Sequence, residues 1–341
     1  MSDKNPVIAA CAVAVAFAGL VSAQGGPPPI PIELRARFGF QGPLLAKVGD
    51  GIGNLQLVDR KGDGRLEAVV FDGRRARLVA IRVDGETTTQ ESIPTEGQVA
   101  GYTFADVDGD KVPEIAIVDT RGRLSVRHAD GAARVDALPF DLGLGGRGVT
   151  LLAGDLDADG RAELIAFGDG KMRVVRDLAT RPQAGAIEPV EPNVRDLHLA
   201  QVFGDASPDL VCIVPGERMN LRFRLGRKDG SFGPWRIASI DGLRAVFPTT
   251  LADGAPALAT VEGENRRVAL RQIVADEPQA ALEWWAFGEG DASRTPAFVV
   301  GDVDNDGDDD LALFPPDRAQ LWLYEWRDGT FVRQSLPTLA G

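Results

Sequence analysis

The sequence predicts an all-β chain folded as a β-propeller of six four-stranded blades, with seven blades, one of them incomplete, as the alternative. Three observations carry this. An acidic loop followed by a short apolar strand recurs at a nearly constant interval, Asp-Gly pairs punctuate the intervals, and no stretch has the apolar period of a helix. A period near 48 residues with four short strands per unit is the signature of a propeller blade.

The chain opens on an Ala/Val-rich apolar run at residues 7 to 23, and Val21-Ser22-Ala23 reads as a small-residue cleavage site before Gln24. We expect residues 1–23 to be a signal peptide, with an uncleaved membrane anchor as the alternative. Residues 24–32 are a Gly/Pro-rich spacer. The propeller is expected over 33–341, with residues 33–44 adding a strand where the ring closes.

Six units begin at Asp59, Asp106, Asp155, Gln201, Thr249 and Asp302, spaced 46 to 53 residues apart. In each, a short apolar strand enters the loop and a second leaves it, as in EIAIV, ELIAF and DLALF. A tight turn and an alternating third strand follow. Asp84-Gly85, Asp130-Gly131, Asp229-Gly230 and Asp328-Gly329 then mark hairpin turns to the fourth strand, expected as two-residue turns with positive φ.

The loops carry the chemistry. Asp302, Asp304, Asp306 and Asp310 occupy positions 1, 3, 5 and 9 of the last loop, with Gly307 at position 6. Asp155, Asp157, Asp159 and Glu163 repeat the pattern around Gly160. Asp106, Asp108, Asp110 and Glu114 repeat it again with Lys111 in the glycine's place. Calcium takes six to eight oxygens at about 2.3–2.6 Å, and acids at this spacing supply most of them from one loop. Carboxylates this close raise one another's pKa unless a cation sits among them. We therefore expect about three Ca2+ ions, held structurally. The units at 59, 201 and 249 keep only fragments of the pattern, such as Asp205 with Asp209, or Asp253 with Gly254, and are expected to be metal-free turns.

DVDNDGDDDLALF followed by WRDGTF, and DLDADGRAELIAFGDG, resemble the FG-GAP and VCBS-type repeats of bacterial extracellular proteins, which are similar to the calcium-loop blades of integrin α-subunit heads. The resemblance spans almost the whole chain after the spacer. It implies a calcium-stabilised propeller in a secreted, periplasmic or cell-surface protein, and it leaves function open.

Turns between the second and third strands lie on the face opposite the acidic loops, and each carries a cation: Arg74, Arg121, Lys171, Arg218, Arg266 and Arg318. This basic ring is a candidate surface for an anionic glycan or acidic protein. The net charge of −13 disfavours nucleic acid, and fourteen of the Asp and Glu residues sit in the three strong loops. All five tryptophans fall in the last three blades, where packing between blades is the expected role. His128 and His198 lack a matching Ser or Cys motif and are read as structural, and Cys212 as a small core residue. Gly143, Gly145 and Gly148 fit G-x-G-x-x-G without a βαβ unit around them and read as an inter-blade connection. The favoured function is a non-catalytic binding or adhesion module for a glycan or extracellular protein. A polysaccharide lyase or hydrolase on the same scaffold is the second reading.

Overall fold

A computed structural model describes residues 52–84, 87–134, 139–144, 148–191, 193–203, 207–251, 254–263, 267–274, 277–284, 297–301, 310–314, 320–327 and 330–337. The expected signal peptide, the spacer and the strand at 33–44 lie outside them, as do Gly145, Asp205, Asp253, Arg266, Asp302, Asp304, Asp306 and Arg318.

Six antiparallel sheets form a six-bladed β-propeller, with no helix among the described residues. Blade one holds β1 (Ile52–Val58), β2 (Glu67–Asp72), β3 (Arg77–Asp84) and β4 (Thr87–Pro94). Blade two holds β5 (Val99–Ala105), β6 (Glu114–Asp119), β7 (Arg123–Arg127) and β8 (Phe140–Asp141). Blade three holds β9 (Thr150–Gly154), β10 (Glu163–Gly168) and β11 (Lys171–Arg176). Its outer place is shared by β12 (Gln183–Ala184) and β13 (Glu188–Pro189), both paired with β11. Blade four holds β14 (Arg195–Ala200), β15 (Asp209–Ile213), β16 (Leu221–Arg224) and β17 (Arg236–Ala238). Blade five holds β18 (Leu243–Thr250), β19 (Pro256–Glu262), β20 (Arg267–Val274) and β21 (Glu277–Trp284). Blade six holds β22 (Ala297–Gly301), β23 (Asp310–Phe314), β24 (Gln320–Arg327) and β25 (Thr330–Pro337). Strand order within each sheet follows the chain.

The second strands are apolar throughout because both their faces are covered. Side chains alternate across a strand, so Ile115 and Ile117 of β6 pack with Val69, Leu78 and Ile93 of blade one. Ala116 and Val118 pack with Leu151, Leu164 and Val175 of blade three. The pattern continues around the ring. Ile165 and Phe167 meet Leu210 of blade four, Val211 and Ile213 meet Val246 and Leu258 of blade five, and Val261 and Leu270 meet Trp322 and Tyr324 of blade six. Packing between blades is thus the role of Trp322, as expected for the tryptophans. The outer strand β4, TTTQESIP, is mostly exposed and polar, which blunts a free sheet edge.

The Asp-Gly turns differ from the two-residue expectation in blades two and four. Gly131 N–H donates to the His128 carbonyl and His128 N–H to the Ala132 carbonyl, so three residues form the loop. Only Gly131 takes positive φ, at 87°. Arg227, Gly230 and Ser231 repeat the arrangement in blade four. The extra residue makes a bulge, for which glycine is needed at one position only. In blade six, Arg327 pairs directly with Thr330, as a two-residue turn requires.

Candidate metal centre

The acidic loops fold through their own side chains. The position-1 aspartate caps backbone N–H groups of the turn: Asp106 accepts from Gly109 at 2.7 Å and Lys111 at 2.8 Å. Asp155 accepts from Asp159 and Gly160, and Asp59 from Asp63 and Gly64. Such local bonds are what make aspartate a turn former. The turn is left-handed at position 6, with φ of 78° at Gly64, 70° at Lys111 and 86° at Gly160. Lys111 therefore adopts the conformation expected of a glycine, at about 1–2 kcal/mol. Position 4 is left-handed as well, at Gly62, Gly109 and Ala158, which the repeat pattern did not reveal.

Position 9 begins the second strand and is buried. Its carboxylate accepts the N–H of position 2: Val107 on Glu114 at 3.1 Å, Leu156 on Glu163 at 2.7 Å, and Val202 on Asp209 at 3.0 Å. One acid thus ties the entry of the loop to its exit, whether or not the rest of the comb is present. Asp310 holds the same place in β23 and is buried. Neighbouring loops also touch, since Ala162 N–H donates to the Asp106 carbonyl at 2.7 Å.

Two carboxylate trios converge among the described residues. Asp106, Asp108 and Glu114, and likewise Asp155, Asp157 and Glu163, each bring one ligand oxygen within 4.8 Å of the others. Asp110 and Asp159 belong to the same loops but accept backbone N–H groups from Val112 at 2.7 Å and Arg161 at 2.8 Å. The donor set is all oxygen, as a hard cation requires.

Counter-charge separates the loops. Burial pushes the Glu163 carboxyl up to about 7, helped by Asp157, Asp159 and Asp155, and among the described residues no ion pair is formed with it. In loop two, Arg134 Nη1 lies 3.1 Å from Asp108 and 2.8 Å from Glu114. Burial still raises the Glu114 carboxyl, and Arg134 works against the shift. In loop one, Arg60 Nε lies 2.7 Å from Glu67 and also binds Glu91 and the Ala129 carbonyl, while Arg82 pairs with Asp63 at 2.6 Å. Of the described loops, the one at Asp155 suits a cation best, because its carboxylates form no ion pair among the described residues.

Residues 59–117 and 106–166 each match the FG-GAP-like repeat. The chain carries FG-GAP-like repeats. No curated protein matches it. Its fold is similar to that of an Agrocybe aegerita lectin whose structure concerns recognition of non-reducing terminal N-acetylglucosamine, at 15% identity and a TM-score of 0.59, over 84% of this chain and 80% of that one. A chain from the crystal structure of BBS1N in complex with ARL6DN is similar at 11% identity and a TM-score of 0.51, over 83% and 81%. At such identities the likeness is one of fold.

Outside the FG-GAP loops, Arg74, Arg121, Lys171 and Arg218 are exposed, at the ends of the second strands remote from the acids. His128 closes a hairpin through its backbone. His198 stacks at 5.3 Å on Phe247, with burial pulling its pKa down and Asp196 opposing. Gly143 and Gly148 take positive φ in the connection from β8 to β9. Arg60 and Arg134 were missed in the sequence because each sits outside positions 1, 3, 5 and 9.

Proposed function

We propose that the chain is a secreted, calcium-binding propeller that acts as a non-catalytic binding or adhesion module at the cell surface. The observation that carries the calcium assignment is the trio Asp155, Asp157 and Glu163, buried at its base and with no ion pair to Glu163 among the described residues. These residues would hold the ion, which would cross-link the loop and cancel its charge. The loop at Asp106 is the second candidate, and Asp302, Asp304, Asp306 and Asp310 the third.

The apolar run at residues 7 to 23 supports export to the periplasm, cell surface or medium. A lectin among the proteins of similar fold favours a glycan as partner, and the exposed cations Arg74, Arg121, Lys171 and Arg218 favour an anionic one.

Thermal unfolding of the full chain in millimolar calcium and in chelator, with metal analysis of the same sample, tests the assignment. A site saturated tenfold above its Kd contributes about 1.4 kcal/mol, a shift of about 2 °C for a chain of this size. Identical melting with no bound metal would overturn it. A glycan array probed with both samples tests the partner.

A further inference from the structure

Blade three ends its third strand on Arg176, which forms no ion pair among the described residues. β11 pairs Val175 with Leu164, which sets Arg176 abreast of Glu163. In blade one, Arg82 stands opposite Glu67 and turns into its own loop to reach Asp63. Arg176 takes another course. Its Nη2 reaches the blade-four hairpin, 2.9 Å from where a Cβ on Gly230 would stand, and Gly230 takes φ +72° there. A side chain at Gly230 would push the guanidinium away. The Arg176 Nε is buried and has no hydrogen-bond partner. The rest of the guanidinium borders open space, where an acceptor from outside the chain can reach it.

There is room for one. Arg176 lines a cleft of about 180 Å³ between blades three and four, together with Gly185, Glu188, Gly230, Ser231 and Phe232. Drug-sized sites run to about 300–1,000 Å³, so this cleft holds a single small ring. Two of its side chains, Glu188 and Ser231, offer acceptor oxygens. Glu188 is half exposed and engages Arg224 through one oxygen at 2.6 Å. Ser231 Oγ donates to Asp229 at 2.6 Å, leaving its lone pairs free to accept. Phe232, with the Arg224 guanidinium 5.7 Å from its ring centre, supplies an apolar wall.

We infer that this cleft binds a small sugar acid, with its carboxylate on Arg176 and its hydroxyls donating to Glu188 and Ser231. A guanidinium favours a carboxylate through paired, charge-assisted bonds. A polyanion is disfavoured, because Glu188 lines the cleft and Asp157 stands behind Gly230. The inference rests on the glycan reading above and assigns it to this cleft, beside an acidic loop, in place of the exposed cations of the opposite turns, with one ligand class. The two fail separately: calcium-dependent melting without sugar-acid binding overturns the cleft alone.

Calorimetric titration of the full chain in calcium buffer tests it, with glucuronate, glucose and acetate as probes. Glucuronate should bind saturably, and glucose and acetate at least tenfold more weakly. Arg176→Gln should weaken glucuronate at least tenfold in a chain that still unfolds cooperatively. Should that variant fail to fold, Ser231→Val, which crowds the cleft without touching the guanidinium, must weaken glucuronate comparably. Absence of saturable binding, glucose binding as well as glucuronate, or a folded Arg176→Gln chain that binds like the parent would each overturn the proposal.

Discussion

The loops beginning at Asp59 and Asp155 share a backbone and differ in charge. In both, the first aspartate accepts the N–H groups of positions 5 and 6, and a buried glutamate leads the second strand. Loop one then closes its charge within the chain through Arg60, Lys61 and Arg82. In loop three, Glu163 forms no ion pair among the described residues. The turn is therefore built by aspartate-to-backbone bonds, and the cation is a separate element that the chain or the solvent supplies.

The largest effect that would break this comparison comes from loop one. Glu67→Gln leaves the Arg60 guanidinium buried with half its compensation gone. Removing one partner of a buried pair costs about 3–5 kcal/mol, and Arg60 keeps Glu91, so we expect about 3 kcal/mol. Because no metal is involved, the loss should be the same in calcium and in chelator. Denaturant unfolding in the two buffers measures it, and a loss confined to calcium would show that loop one also takes a metal.

Glu163→Gln should do the opposite, with a sign that depends on the buffer. In calcium it removes a ligand and lowers stability by about 1–2 kcal/mol, the contribution of a moderately saturated site. In chelator it removes a buried charge repelled by three aspartates and raises stability. The pH dependence follows from the raised carboxyl. The folded pKa, about 7, lies above the unfolded value of 4.5. Between those values the metal-free folded state holds a proton that the unfolded state has released, so its stability falls as pH rises and levels off above 7. The gap between variant and parent should open from pH 5 to pH 8, by on the order of 2 kcal/mol. Calcium should abolish it, since binding expels the proton. A gap independent of pH would mean that Glu163 is not the group at fault.

Much of this fold was legible because it repeats. The apolar second strands and the acids at positions 1 and 9 report the period, and position 9 stays acidic even in blade four, where Asp209 alone ties the loop by accepting from Val202. What was not legible depends on side chains that meet within one blade from strands and turns far apart along the chain. Arg60 meets Glu91 across 31 residues and Arg134 meets Asp108 across 26, and spacing within one repeat does not foretell either. The bulged hairpins escaped for a different reason. Asp-Gly suits both a two-residue turn and a three-residue turn with one left-handed glycine, and the adjoining strand register chooses between them. Lys111 shows the limit of residue preference: the three bonds Asp106 and Asp110 accept from loop N–H groups hold it at φ 70° without a glycine.

Loop two stands between the others and gives the smallest and sharpest test. Arg134 bridges Asp108 and Glu114 from a side chain about one-tenth exposed, so it occupies the space a cation would need and lends one positive charge where calcium would bring two. Calcium binding there must displace the guanidinium, which weakens the site without abolishing it. Arg134→Gln should therefore raise calcium affinity at loop two by about tenfold, or about 1.4 kcal/mol, while lowering stability in chelator, because Glu114 loses its only close cation among the described residues. Loop three and the loop at Asp302 should be unaffected, so a calorimetric titration of the variant resolves the change as one site tightening beside constant ones. If calcium affinity at loop two instead falls, Arg134 orients the ligands rather than competing with the ion, and the order of the three loops by counter-charge would have to be abandoned.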